Sequence, residues 1–116
     1  MAMTSINLLD IINTKSAISP RAGLKAYDYV ANLLPDTDSL SISFASIEDL
    51  TSAFCNSFIG KLYMNFDPSL LDEKIKFTYL DQDKIWAKKV ANAILLGSNE
   101  NVRTLHKQNL DEVIFS

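Results

Sequence analysis

Few residues in this chain have the type and spacing for chemistry. Asn56 and Gly60 lie four apart, so a helix would put them on one face. There they form either a small polar notch for a ligand or partner, or a packing contact in which Gly60 admits a close neighbour; packing is the reading carried forward. Arg21 and Lys25, also four apart at a helix start, could take an anion, although a solvated basic face is the simpler assignment. Thr51 and Ser52 precede an apolar helical pattern, and a hydroxyl there caps the first turn. Cys55 falls near the apolar stripe and reads as a buried, inert thiol. His106 has no Cys, His or carboxylate pair nearby to complete a triad or a metal site, so it is a surface histidine. Asp81 and Asp83 stand where caps are needed, before a helix, and Glu48-Asp49 and Asp72-Glu73 read as solvated turns. No pair suggests acid–base catalysis, and no metal or cofactor is expected.

Composition bounds the rest. The 116 residues amount to about one domain. Hydrophobic residues make up 47% and charged residues 22%, which argues for a globular chain and against disorder. A net charge of −3 argues against a dedicated nucleic-acid binder. The single cysteine excludes an internal disulfide, and the three glycines are too far apart for a phosphate-cradling loop. The first residues lack a basic leader, and no uncharged apolar run reaches the ~18 residues of a membrane span, so a cytoplasmic protein without membrane contact is expected.

The elements that must position these residues follow from periodicity. The Ile and Leu cluster over residues 5–12 predicts a first strand. Ser19 and Pro20 predict a helix start, and Leu24, Tyr27, Val30, Ala31 and Leu34 continue it until Pro35 and the acidic turn behind it. Residues 40–45 alternate Leu40, Ile42 and Phe44 with Ser41, Ser43 and Ala45, a strand whose small-residue face could admit a helix backbone. The helix of Phe54, Phe58, Leu62 and Tyr63 ends at Asp67-Pro68, and residues 69–71 make at most one more turn. Ile75, Phe77 and Tyr79 mark a strand over residues 74–80 with a core face. A last helix buries Trp86, Val90, Ala93 and Ile94 and stops at Gly97-Ser98-Asn99. Residues 101–109 hold a further helical turn or two, and residues 112–115 a closing strand. Helices alternating with strands predict an α/β layer: a mixed or largely parallel sheet of about four strands, covered by about three to four helices. A single domain is expected over 1–116, with its core over about 5–97 and a tail over about 98–116.

Residues 40–63, LSISFASIEDLTSAFCNSFIGKLY, resemble a bacterial family of STAS-like domains of unknown function. The resemblance rests on Thr51, Ser52, Phe54, Asn56, Phe58, Ile59, Gly60, Leu62 and Tyr63, with weaker similarity at residues 6–12, 19–23 and 75–77. It implies a non-enzymatic, STAS-like regulatory domain that binds another protein. STAS proteins antagonise anti-sigma factors, and an ATPase-type kinase phosphorylates a serine at the start of their second helix. On that template Ser52 holds the phosphorylated position, although Thr51 stands where STAS proteins carry an acid and Phe54 where they carry glycine. A phosphate there would be held by helix N–H groups and would add ~1.5–2 negative charges to the partner surface. The simpler assignment is that Thr51 or Ser52 only caps the helix. Two alternatives remain: a small-ligand or nucleotide sensor using Asn56, Gly60, Arg21 and Lys25, or a homo-oligomeric component whose tail, Val113-Ile114-Phe115, adds to a neighbour's sheet edge.

Overall fold

The computed structural model describes residues 3–80 and 84–115, with side chains described over residues 3–80 and 85–100. Three parallel strands form the sheet: β1 (Met3–Asn7), β3 (Ser39–Ser43) and β5 (Ile75–Thr78), in the spatial order β1-β3-β5. Thr4 faces Leu40 and Ile6 faces Ile42 across one ladder, and Ile42 faces Phe77 across the next. A second, two-stranded parallel sheet joins β2 (Ser16–Ala17) to β4 (Asp49–Leu50). Three of the about four expected strands thus make one sheet, the β2–β4 pair adds two short strands that the periodicity did not mark, and every ladder is parallel.

The first strand is shorter than its Ile and Leu content suggests. β1 ends at Asn7, and Leu8–Ile12 turns into helix α1. Leu8, Ile11 and Ile12 are buried, and that spacing of three and four suits a helix face. Asn13, in the left-handed conformation at φ 58°, closes α1 by donating its N–H to the Leu9 carbonyl at 2.8 Å.

Helix α2 (Pro20–Leu33) starts where Ser19 and Pro20 place it, with the Ser19 hydroxyl accepting the Ala22 N–H at 3.1 Å. A 3-10 turn, Leu34–Asp36, follows it. The helix beginning at Thr51 is continuous but not uniform. It runs as α3 (Ser52–Cys55), a π-helical turn (Asn56–Gly60) and α4 (Lys61–Asn65). Asp67 then caps α5 (Pro68–Lys74), longer than the one turn expected, and Lys74 donates from its Nζ to the Leu34 carbonyl at 2.6 Å.

The long helix α6 (Lys84–Phe115) passes through Gly97 without stopping. Gly97 has no positive φ, and the last proline of the chain is Pro68, so nothing interrupts the hydrogen-bond ladder of α6. The closing strand expected over residues 112–115 is helix instead, and the sheet-edge role of Val113, Ile114 and Phe115 goes with it. The caps expected at Asp81 and Asp83, and the side chain of His106, lie outside the described residues.

Two crossovers in the same direction, β1 to β3 and β3 to β5, place their helices on one side of the sheet when both have the usual right-handed sense. The burial pattern follows. Leu40, Ile42, Phe44 and Ile75 face the helices in a core shared with Phe54, Phe58, Ile59, Leu62 and Tyr63. Ser5, Asn7 and Lys76 on the opposite face are exposed, and Ser41, Ser43 and Thr78 are half-buried. The small face of β3 thus meets no helix backbone; its serines belong to the bare side of the sheet. Tyr79 lies beyond the end of β5, at φ 57° and 63% exposed, so it leaves the core face that alternation assigned to it.

Candidate functional site

The helix from Ser52 to Asn65 lies between α2 and α6, and glycines set both approaches. A Cβ on Gly23 of α2 would stand 2.7 Å from the Phe54 carbonyl oxygen and 2.8 Å from the Ser57 Cβ. A Cβ on Gly97 of α6 would overlap the Gly60 carbonyl. All three glycines are buried in helical conformation; their use here is absence of bulk rather than conformational freedom. Both neighbouring helices reach the π-helical turn, a geometry found frequently at functional sites.

The outward side of that turn floors a groove of about 470 Å³. Asn56, Ser57, Gly60 and Lys61 line it from the central helix, Leu24 from α2, and Leu96, Gly97 and Glu100 from α6. Leu24, Met64 and Leu96 are 41%, 38% and 58% exposed, leaving apolar surface along the groove. Arg21 and Lys25 line an adjoining hollow with Ser19 and Asp28, and Leu24 belongs to both. Four residues singled out from sequence, Asn56, Gly60, Arg21 and Lys25, thus fall on one continuous surface. Sequence reasoning missed Leu24 and Leu96 as parts of it: Leu24 belonged to a periodic core stripe, and Leu96 lay next to an expected helix end. Beside the groove, the Lys61 ammonium sits 4.6 Å from the centre of the Tyr27 ring, whose hydroxyl accepts from Asn65 at 3.1 Å.

Thr51 and Ser52 have different surroundings. The Thr51 hydroxyl accepts the Phe54 N–H at 3.2 Å and donates to the Ile18 carbonyl at 2.8 Å, while its own N–H reaches the Ala17 carbonyl at 3.1 Å. These bonds set the starts of α2 and α3 side by side. Ser52, the next residue, is exposed. Cys55 is fully buried; burial pushes its thiol up to about 12, against the pull of the Lys89 ammonium. It is a packed side chain and not a nucleophile. Tyr63 donates to Asp72 at 2.7 Å, and burial, that bond and the Asp72 charge hold its phenol well above its ordinary range. Glu48 and Asp49 are not a plain turn: Ser16 donates to the Asp49 carboxylate at 3.0 Å beside the β2–β4 ladder, and Lys15 pairs with Glu48 at 3.9 Å. Among the described residues no three His, Cys, Asp or Glu side chains converge on a metal position. No helix is long and apolar enough to cross a membrane, among the same residues.

A parallel sheet covered by helices on one side, with a grooved helical layer above it, defines a small α/β domain of the STAS-like kind. The sequence pattern of the family described as a STAS-like domain of unknown function matches residues 23–84, from Gly23 of α2 to the start of α6. The chain belongs to that family. No curated protein and no solved structure matches it.

Proposed function

We propose that this chain is a non-enzymatic regulatory domain that docks another protein on the groove over the π-helical turn. The observation that carries this reading is the groove itself: exposed Leu24, Met64 and Leu96 around a polar floor at Asn56, on the segment that the family pattern spans. An amphipathic helix laid in such a groove gains affinity from its apolar anchors, and the cations at Arg21, Lys25 and Lys61 favour an acidic one.

Ser52 is the regulatory position in this reading. Thr51 already carries the cap, so a modification of Ser52 leaves the helix start intact. A phosphate there adds ~1.5–2 negative charges beside two helix N-termini, one turn from Asn56. An ATPase-type protein kinase is the partner class that the STAS resemblance suggests.

The test is affinity capture from the native source with wild type, Leu24→Glu and Ser52→Ala, followed by incubation of captured partners with ATP. The reading expects a partner held by wild type and released by Leu24→Glu, with phosphate incorporated into wild type and not into Ser52→Ala. A partner retained equally by Leu24→Glu would remove the groove from the reading, and phosphate incorporated equally into Ser52→Ala would remove the switch.

A further inference from the structure

The bare face of the sheet holds a second concavity, which shares no lining residue with the groove. It is a hollow of about 590 Å³ where β1, β3 and β5 end. Its floor is the outward-facing register pair Ser5 and Ser41, then Asn7 and Ser43, then Thr78 beside Ser43. Asp10 and Ile11 of α1 and Tyr29 of α2 form one wall, and Tyr79 stands at the end of β5. The hollow reaches the carboxyl ends of the strands at Asn7, Ser43 and Thr78. Its volume is within the range of small-molecule sites.

The lining is polar and carries charge of one sign. Ser5, Asn7, Asp10, Tyr29, Ser41 and Tyr79 make no side-chain hydrogen bond to another described residue. Ser43 is engaged, accepting the Ala45 N–H at 3.1 Å. Asp10 is the one ionised side chain among the described residues that line the hollow, and no Lys, Arg or His is among them. Lys76 stands opposite Ser41 on the same face but does not line it. Tyr79 keeps its place with φ at 57°, a conformation uncommon for a bulky residue. The Asp10 carboxylate only accepts hydrogen bonds, while the hydroxyls and the Asn7 amide can accept as well as donate, so charge is what selects the ligand.

We propose that this hollow binds a small organic cation rich in N–H donors, of the amine or guanidinium class. The N–H donors bond to the serine, threonine and asparagine oxygens of the sheet face, and the positive charge faces Asp10. An anion finds no counter-charge in the lining, and a neutral polyol leaves Asp10 without a partner of opposite sign.

The experiment is a titration of the full chain followed by amide ¹H–¹⁵N spectra, using agmatine and putrescine as cationic probes, glycerol as the neutral probe and succinate as the anionic one. The proposal expects agmatine or putrescine to move the signals of residues 5–10, 41–43 and 78–79 in a saturable way, with glycerol and succinate leaving them in place. Asp10→Asn is exposed and weakens the affinity about fivefold, the scale of an exposed ion pair. Ser5→Leu fills the floor and removes binding, and an otherwise unchanged spectrum of each variant establishes that it is folded. No saturable shift with either cation, equal shifts with glycerol, or full affinity in Asp10→Asn overturns the proposal. The groove variant Leu24→Glu binds the cations as wild type does, so failure at this hollow and failure at the groove are told apart.

Discussion

Gly97 of α6 rests on the carbonyl of Gly60, with no room for a single carbon between them. This contact locks α6 against the π-helical turn, and the groove follows from it. A larger residue at Gly97 would push α6 away from Leu24 and widen the groove at its floor, whereas a Cβ on Gly60 would stand 3.4 Å from the Ala93 carbonyl oxygen, an ordinary contact.

Gly97→Ala is therefore expected to destabilise the domain by about 1–3 kcal/mol, the usual cost of overpacking. Alanine is the better helix former by ~1 kcal/mol, so a net loss shows that packing outweighs propensity. Gly23→Ala behaves alike, since its Cβ would meet the Phe54 carbonyl and the Ser57 Cβ. Urea denaturation of both variants checks this; a gain in stability at Gly97 would mean that the two helices are not in contact.

Thr51 and Ser52 are expected to separate cleanly. Thr51→Ala loses the cap on α3 and the bond to Ile18, and should cost about 1–2 kcal/mol. Ser52→Ala, on the exposed next residue, should stay within about 0.5 kcal/mol of wild type. Thermal unfolding of the pair measures the contrast.

Cys55 gives a pH prediction. Its folded thiol is held up at about 12, above the ordinary value of 9.0, so between those values the unfolded chain loses a proton that the folded chain keeps. Stability falls as pH rises through that window. Tyr63 acts in the same direction at the alkaline end, because its phenol is also raised. Denaturation midpoints across alkaline pH should decline less steeply in Cys55→Ala. The native thiol should resist alkylation at pH 8 until denaturant is added.

Tyr63→Phe keeps the buried ring and removes its hydroxyl. The bond to Asp72 ties α4 to α5, and its loss should cost about 0.5–1.5 kcal/mol. A double-mutant cycle with Asp72→Asn, read by urea denaturation, isolates that coupling.

Local signals in the sequence determined much of this molecule. Ser19-Pro20 and Thr51 begin helices where capping chemistry requires it, and the alternation in residues 40–43 and 75–77 makes strands. The resemblance at residues 40–63 named the family that the match over residues 23–84 establishes. Ambiguity stayed where one composition serves two structures. Leu8, Ile11 and Ile12 suit a strand by residue type and a helix by spacing, and the paired length of β3 decided between them. Gly97 fits a helix end as well as a helix crossing, and only the Gly60 carbonyl against it selects the crossing. The sequence offers serines at 5, 41 and 43, but strand order decides that they share a face and that the crossover helices leave it bare. Caps and periodicities are local and can be written in a few neighbouring residues. The groove and the hollow are made by residues far apart along the chain, and only the packing of helices and the order of strands brings them together.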